Sequence, residues 1–320
     1  MLKKIIIKII AKILKFLIPH KKYMKLRSFL LGKKRFPSSI KNVYGFDIYQ
    51  NNNDIDYSEH IGSSLNSIQR SRDSDVLIFS KYFLEIGDIA IDIGANIGLM
   101  SLAMSKFVGP SGAVVSIEPG PVSFALLRVN KYKNFNTAKN IILVDAACTD
   151  VDGDVPLFIN SNGESDNQVH KGHTSYVFRN ELSRECHITQ GISLDKKLSD
   201  LCNPDKVTFV KIDTQGHEWY VLNGAKKIFS EKKSLAILCE YAPYLKSWQS
   251  LSTEKFYDLI IDMGFTIYDI RNISHGRIDF SYLTENYDFN KVSNYTDLLL
   301  LKGDQLKKFE ADKDMLNNFS

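Results

Sequence analysis

The chain has 320 residues, 44% of them hydrophobic and 24% charged, a globular composition with room for one large domain and extensions. Its net charge of +4 is mild, and Lys and Arg crowd the first 35 residues, so overall basicity makes no case for a nucleic-acid partner. Cysteines at 148, 186, 202 and 239 share no C-x-x-C spacing; they give no zinc framework and read as free thiols in a reducing, cytoplasmic compartment.

Residues 1–18 read MLKKIIIKIIAKILKFLI, with Lys4, Lys8, Lys12 and Lys15 at helical spacing on one face and Ile, Leu and Phe over the rest. Five lysines in 18 residues disfavour a spanning helix, and no small-residue cleavage site follows. Two readings fit. The helix lies in a membrane interface with its lysines on anionic headgroups, or it packs on the protein's own domain or a second subunit. Basic residues from His20 to Arg35 extend the surface, so residues 1–40 form a basic amphipathic segment whose candidate partner is a membrane surface. Oligomeric state leaves no signal.

Residues 41–87 read as a lead-in. Residues 45–49 are a candidate strand, with 55–57 as partner across the Asn51-Asn52-Asn53 turn. Asp73-Ser74 offers an N-cap for a helix carrying Val76, Leu77, Phe79, Phe83 and Leu84, ended by Gly87.

From 88 to 303 strand and helix alternate. Apolar strands are predicted at 89–93, 113–117, 141–147, 207–212 and 235–241, and helices over 97–107, 122–132, 218–229 and 253–263. Strands at 265–268 and 298–301 close the series. The pattern predicts an α/β fold: a doubly wound, mostly parallel sheet with helices on both faces. Residues 150–195 interrupt it with Asp152-Gly153, Asn162-Gly163 and Lys171-Gly172, and read as hairpins or a lid on the substrate side. Residues 304–320 are left as a tail.

In such a sheet ligands bind outside the carboxyl ends of the strands. The first strand leaves through Asp92-Ile93-Gly94-Ala95-Asn96-Ile97-Gly98, where Gly94 and Gly98 permit a tight turn and close approach. The dinucleotide spacing G-x-G-x-x-G is absent. Asp92 would repel a pyrophosphate but favours the α-ammonium and sulfonium of S-adenosylmethionine. Glu118-Pro119 ends the second strand, where a carboxylate accepts hydrogen bonds from ribose hydroxyls. Asp145-Ala146 ends the third. Asp145 is either an acceptor for the adenine amino group or a turn carboxylate. The expected cofactor set is Asp92, Gly94, Ala95, Asn96, Gly98, Glu118, Pro119, Asp145 and Ala146.

Asp92-Ile-Gly-Ala-Asn-Ile-Gly98, Ser116-Ile-Glu-Pro-Gly120, Lys211-Ile-Asp-Thr-Gln-Gly-His-Glu218 and Leu222-x-Gly224-Ala225 resemble, in order and spacing, the FkbM-type methyltransferases. The resemblance covers residues 45–245. It implies the class I S-adenosylmethionine-dependent fold, a seven-stranded sheet with its last strand antiparallel, and O-methylation, often of sugar, glycan or polyketide hydroxyls. One departure stands out: the family usually shows Glu where this chain has Gln215, which keeps the hydrogen-bonding shape but cannot be a base or a strong metal ligand.

Methyl transfer to oxygen needs collinear positioning and removal of the hydroxyl proton, by a base or with help from a divalent metal. The ends of the fourth and fifth strands offer Asp213, His217 and Glu240 as candidate catalytic residues. Asp213 is alternatively an N-cap, and His217 a solvent-facing first-turn residue. Glu218 reads as a helix-dipole partner. Glu240, ending an apolar strand, needs a partner or a ligand. His170 and His173 could orient a polyhydroxyl acceptor. A divalent metal between Asp213 and Glu240 is left open. The resulting expectation is a cytoplasmic, membrane-peripheral O-methyltransferase acting on a saccharide or glycolipid. N-methylation of an amine or amide, or a membrane-associated scaffold with a vestigial cofactor site, are the alternatives.

Overall fold

The computed structural model describes residues 37–51, 72–160, 168–169, 184–246, 251–288, 291 and 294–317. The basic segment expected over 1–18, the strand expected over 55–57, and His170 and His173 lie outside them. In chain order the strands are β1 (Pro37–Val43), β2 (Phe46–Asn51), β3 (Ile89–Ile93), β4 (Ala113–Ile117), β5 (Ile141–Val144), β6 (Ala147–Cys148), β7 (Gly153–Asn160), β8 (Gln168–Val169), β9 (Arg184–Ile192), β10 (Val207–Ile212), β11 (Leu235–Tyr241), β12 (Thr266–Asp269) and β13 (Thr296–Lys302). The helices are α1 (Arg72–Phe83), α2 (Leu99–Val108), α3 (Pro121–Lys133), α4 (Phe135–Ala138), α5 (Leu194–Leu201), α6 (Glu218–Asn223), α7 (Lys226–Glu231), α8 (Pro243–Lys246), α9 (Thr253–Asp262), α10 (Phe280–Asn286) and α11 (Asp304–Asn317).

Seven strands form one sheet in the order β12-β13-β11-β10-β3-β4-β5, with only β13 antiparallel to its neighbours. This is the doubly wound, mostly parallel sheet that the alternation predicts, and the antiparallel last strand is the one the resemblance implies. Its strands read as continuous apolar runs because successive residues enter two different cores. Ile89, Ile91 and Ile93 of β3 face one side and Ala90 the other. Along β13, Leu298 and Leu300 alternate with Leu299 and Leu301 in the same way. Helices α5, α6, α7, α9 and α10 cover the first face, and α1, α2, α3 and α11 the second. On the second face the Phe83 ring lies against Tyr82, Phe209 and Phe309. Burying such a side chain contributes about 1.5–3 kcal/mol.

Beyond the tail expected over 304–320, which carries helix α11 with Phe309 fully buried in the second-face core, three local expectations differ from the structure. First, β2 pairs with β1 across a tight turn at Tyr44-Gly45, both at positive φ (53° and 89°), as two-residue hairpins require. Asn130 of α3 and Asn134, the residue that ends it, bond the backbone N–H and C=O of Tyr49 and Asp47, covering the outer edge of β2. Helix α1 also begins earlier than expected, which places Asp73 and Ser74 inside its first turn.

Second, the strand expected over 141–147 is two strands. The β4–β5 ladder ends where Glu118 N–H donates to Val144 O, and Ala147–Cys148 pairs instead with Gly191–Ile192 of β9. Strands β6-β9-β7-β8 form a separate four-stranded sheet in which β6 is joined by strands from the 150–195 stretch, with β7 antiparallel to both β8 and β9.

Third, the helix expected over 218–229 breaks at Gly224. A Cβ there would lie 2.0 Å from Thr149 O. The Gly224 carbonyl accepts from Asp195 N–H and from the Ser193 hydroxyl at the start of α5. In exchange, the Asp195 carboxylate accepts from the N–H groups of Lys227 and Ile228 and caps α7. Two helix ends thus satisfy each other at the cost of one continuous helix.

Candidate functional site

The exits of β3 and β10 touch. Gly94, Asn96 and Gly98 have φ of 75°, 50° and 91°. Gly94 and Ala95 donate to Ile117 O, and Asp213 N–H donates to Ile93 O, which pins three strand ends together. A Cβ on Gly94 would fall 1.8 Å from Asp213 O, and one on Gly98 2.3 Å from Leu127 Cδ1. The glycines are therefore required by close approach of the chain to itself as well as by the turn.

Glu118, at the end of β4, is 6% exposed. Its two oxygens accept from Asn96 N–H at 2.9 Å and Gly120 N–H at 2.7 Å, so one carboxylate joins the first loop to the second. Burial pushes its pKa up to about 7; the bonds from Gly120 and Asn96 and the charge of Lys211 oppose the rise, and Asp92 adds to it. Asn96 Oδ1 is buried without a hydrogen-bond partner beside this carboxylate. Ala95 and Ala146 are buried, Pro119 is half-buried, and Asp145 stands exposed at the exit of β5.

Asp92 is fully buried. Its Oδ2 accepts from the Ser101 hydroxyl at 2.5 Å, and Ser101 in turn accepts from Ser116. Its Oδ1 lies 3.4 Å from Lys211 Nζ. Lys211 also reaches Gly94 O at 3.2 Å and Asp213 Oδ2 at 3.5 Å. Burial lowers the affinity of Lys211 for its proton, but Asp213 and Asp92 outweigh it and hold the ammonium above its ordinary range. Asp92 therefore offers a ligand no bare negative charge, because Lys211 already offsets it. Sequence reasoning left Lys211 without a role; the signal was a lysine inside the apolar strand Val-Thr-Phe-Val-Lys-Ile. Lys211→Met should cost about 3–5 kcal/mol, since it leaves the Asp92 charge buried alone. A urea midpoint equal to that of the native protein would contradict this.

The loop after β10 carries the candidate catalytic residues. Asp213 is half-exposed, and its Oδ1 accepts from Gln215 Nε2 at 2.9 Å. The same nitrogen donates to Glu240 Oε2 at 3.2 Å. Glu240 is nearly buried at the end of β11, where its register partner on β13 is Asp297. Asp213 and Glu240 are thus brought together, with Gln215 between them. His217 is not part of this group. It is 1% exposed, stacks on Tyr220 and shares a hydrogen bond with Thr149 Oγ1 at 3.0 Å, which corrects the alternative reading of a solvent-facing first-turn residue. Glu218 does more than face the helix dipole. Its Oε1 accepts from Thr214 N–H, Thr214 Oγ1 and Gly216 N–H, and so shapes the 214–216 loop. Among the described residues no group of three or more His, Cys, Asp and Glu side chains is arranged to hold a metal ion.

Residues 92–267 match the family described as Methyltransferase FkbM domain, more than half of the chain. The chain belongs to the FkbM methyltransferase family. No curated protein matches it. Among solved structures it is similar to the methyltransferase FkbM from Methylobacillus flagellatus KT, with 16% identity, 67% of this chain and 43% of that chain covered, and a TM-score of 0.39. It thus spans less than half the length of that relative. It is also similar to a SAM-dependent O-methyltransferase from Thermotoga maritima (10% identity, 74% and 68% covered, TM-score 0.40). A third is TYW2 of M. jannaschii, solved in complex with AdoMet (12% identity, 83% and 86% covered, TM-score 0.39). Membership of the FkbM family makes the chain a methyltransferase, and the strand order with a single antiparallel strand is that of the class I fold.

Proposed function

We propose that this FkbM methyltransferase transfers a methyl group from S-adenosylmethionine to a hydroxyl oxygen of a saccharide or glycolipid. The observation that carries the reading is Lys211, which joins the glycine turn at Gly94 to the carboxylates of Asp92 and Asp213. S-adenosylmethionine supplies an electrophilic methyl on a sulfonium. The residues present fit it. Glu118, held by Asn96 and Gly120, keeps free lone pairs for ribose hydroxyls, and Asn96 Oδ1 is a buried acceptor awaiting a donor. Ala95 lies in that turn, Pro119 follows Glu118, and Asp145 and Ala146 follow β5, the strand beyond β4; in this reading all four line the cofactor.

Asp213 is the base in this reading, because its side chain is 39% exposed and is tied to Glu240 through Gln215, whereas the His217 ring is turned to Thr149 and Tyr220. Asp213 would take the hydroxyl proton as the acceptor oxygen receives the methyl group that bound S-adenosylmethionine would supply. Glu240 holds the acceptor from the neighbouring strand. In this reading residues 88–303 form the transferase domain together with helices α1 and α11, which pack on its sheet, and strands β7 and β9 lie on the acceptor side. The Lys- and Arg-rich sequence of residues 1–35 suits a lipid-linked acceptor at the cytoplasmic face of a membrane. Among the described residues no helix is long and apolar enough to cross one.

The test is incubation of the full chain with methyl-labelled S-adenosylmethionine and glycan and glycolipid fractions from cells lacking the gene, followed by mass spectrometry of labelled products. The reading predicts methyl ethers on saccharide oxygens, and a rate lower by 10²–10⁴-fold, on the order expected for loss of a base, in Asp213→Asn. Label found only on nitrogen, or no label in any fraction, would overturn it.

A further inference from the structure

Gln215 stands where resembling sequences carry a carboxylate, and its backbone is held in an unusual place. Its φ is 55°, in the left-handed region that non-glycine residues seldom enter. Glu218 fixes that conformation by accepting three hydrogen bonds, two from Thr214 and one from Gly216, on either side. The result is that the Gln215 amide points between two acids. Both neighbours are acceptors when ionised, so the amide nitrogen must face them, one hydrogen for each.

We propose that Gln215 is a positioning residue that holds the Asp213 and Glu240 carboxylates together at one acceptor hydroxyl by donating one amide hydrogen to each. The inference rests on the function proposed above. A carboxylate at this position would bring three acids into hydrogen-bond range, and such groups share protons because like charges cannot all ionise at short distance. An amide removes that conflict and supplies the two donors. Among the described residues, the charged groups near the pair include Lys211 on β10, 3.5 Å from Asp213 Oδ2, Asp297 on β13 in register with Glu240, and Glu218 on α6, turned to the loop amides. Lys211 reaches only the Asp213 side of the pair in these bonds, so the amide is what joins Asp213 to Glu240.

Two measurements test this. In the full chain labelled with ¹⁵N-glutamine, the two side-chain amide protons of Gln215 should move with pH in response to different carboxylates. One proton should lose its response in Asp213→Asn and the other in Glu240→Gln. In Gln215→Glu, difference titration against the native protein should show one added proton bound, with a midpoint at least about one pH unit above that of an ordinary carboxylate. Amide protons that ignore both acids, or an introduced carboxyl that titrates at its ordinary value, would overturn the proposal. Neither readout needs the acceptor. Failure to bind S-adenosylhomocysteine, measured alongside by calorimetry, would instead count against the function.

Discussion

Gly94→Ala is expected to abolish measurable cofactor binding and to lower folding stability by about 2–5 kcal/mol, the sum of a left-handed backbone penalty of about 1–2 and overpacking of about 1–3 kcal/mol. The residue has φ 75°, and the new Cβ would meet Asp213 O at 1.8 Å and Asp213 C at 2.9 Å. Neither backbone is free to yield. Gly94 N–H is bonded to Ile117 O, and Asp213 N–H to Ile93 O. Relief would pull β3, β4 and β10 apart at the point where the cofactor turn begins. Gly276→Ala is the control: its φ is 89°, but nothing lies within 4 Å of the added carbon, so only the conformational penalty applies. Urea unfolding and calorimetry with S-adenosylhomocysteine read both effects. Equal midpoints for the two variants would contradict the crowding at Gly94.

Cofactor affinity should rise about tenfold between pH 6 and pH 8, with a proton released on binding near neutrality. Glu118 is the cause. Its carboxyl titrates at about 7 in the folded chain against 4.5 ordinarily, because it is buried. Ribose hydroxyls donate to the ionised form, so binding favours loss of that proton. The same shift acts on stability with the opposite sign. Between 4.5 and about 7 the folded chain holds a proton that the unfolded chain has released. The stabilisation, about 3 kcal/mol at most, is fully present below the lower value and lost as pH rises through the upper one. Glu118→Gln should flatten the affinity profile and weaken binding on the order of 100-fold, since an amide cannot accept on both sides from Asn96 and Gly120. Calorimetry at pH 6, 7 and 8 in buffers of different ionisation enthalpy checks this. A pH-independent affinity in the native protein would contradict it.

The central strands were legible because both their faces are buried, so 89–93, 113–117, 207–212 and 235–241 show as uninterrupted apolar runs bounded by polar turns. The change of sheet after Val144 was not legible, because Ala146 and Cys148 remain apolar while Ala147 and Cys148 acquire a new partner strand. The break at Gly224 was hidden for a similar reason. Its cause is an exchange of caps with Asp195, far away in sequence. Within the candidate site, the position of Asp92 could be read but its charge balance could not, since the offsetting cation comes from another strand. Intrinsic basicity singled out His217, yet basicity carries no information on burial, and the ring is enclosed against Thr149 and Tyr220. Residues joined only by the fold, as Gln215 is to Glu240 and Asn96 to Glu118, leave no mark in local spacing.

Calorimetric titration of the full chain with S-adenosylmethionine and S-adenosylhomocysteine at pH 8, with NADH as the comparison, tests the central claim most directly. The turn at Gly94–Gly98 with Glu118 predicts one molecule of either sulfur compound bound per chain, each displacing the other, and no heat from NADH. Binding of NADH in their place, or silence from both sulfur compounds in the folded protein, would contradict it.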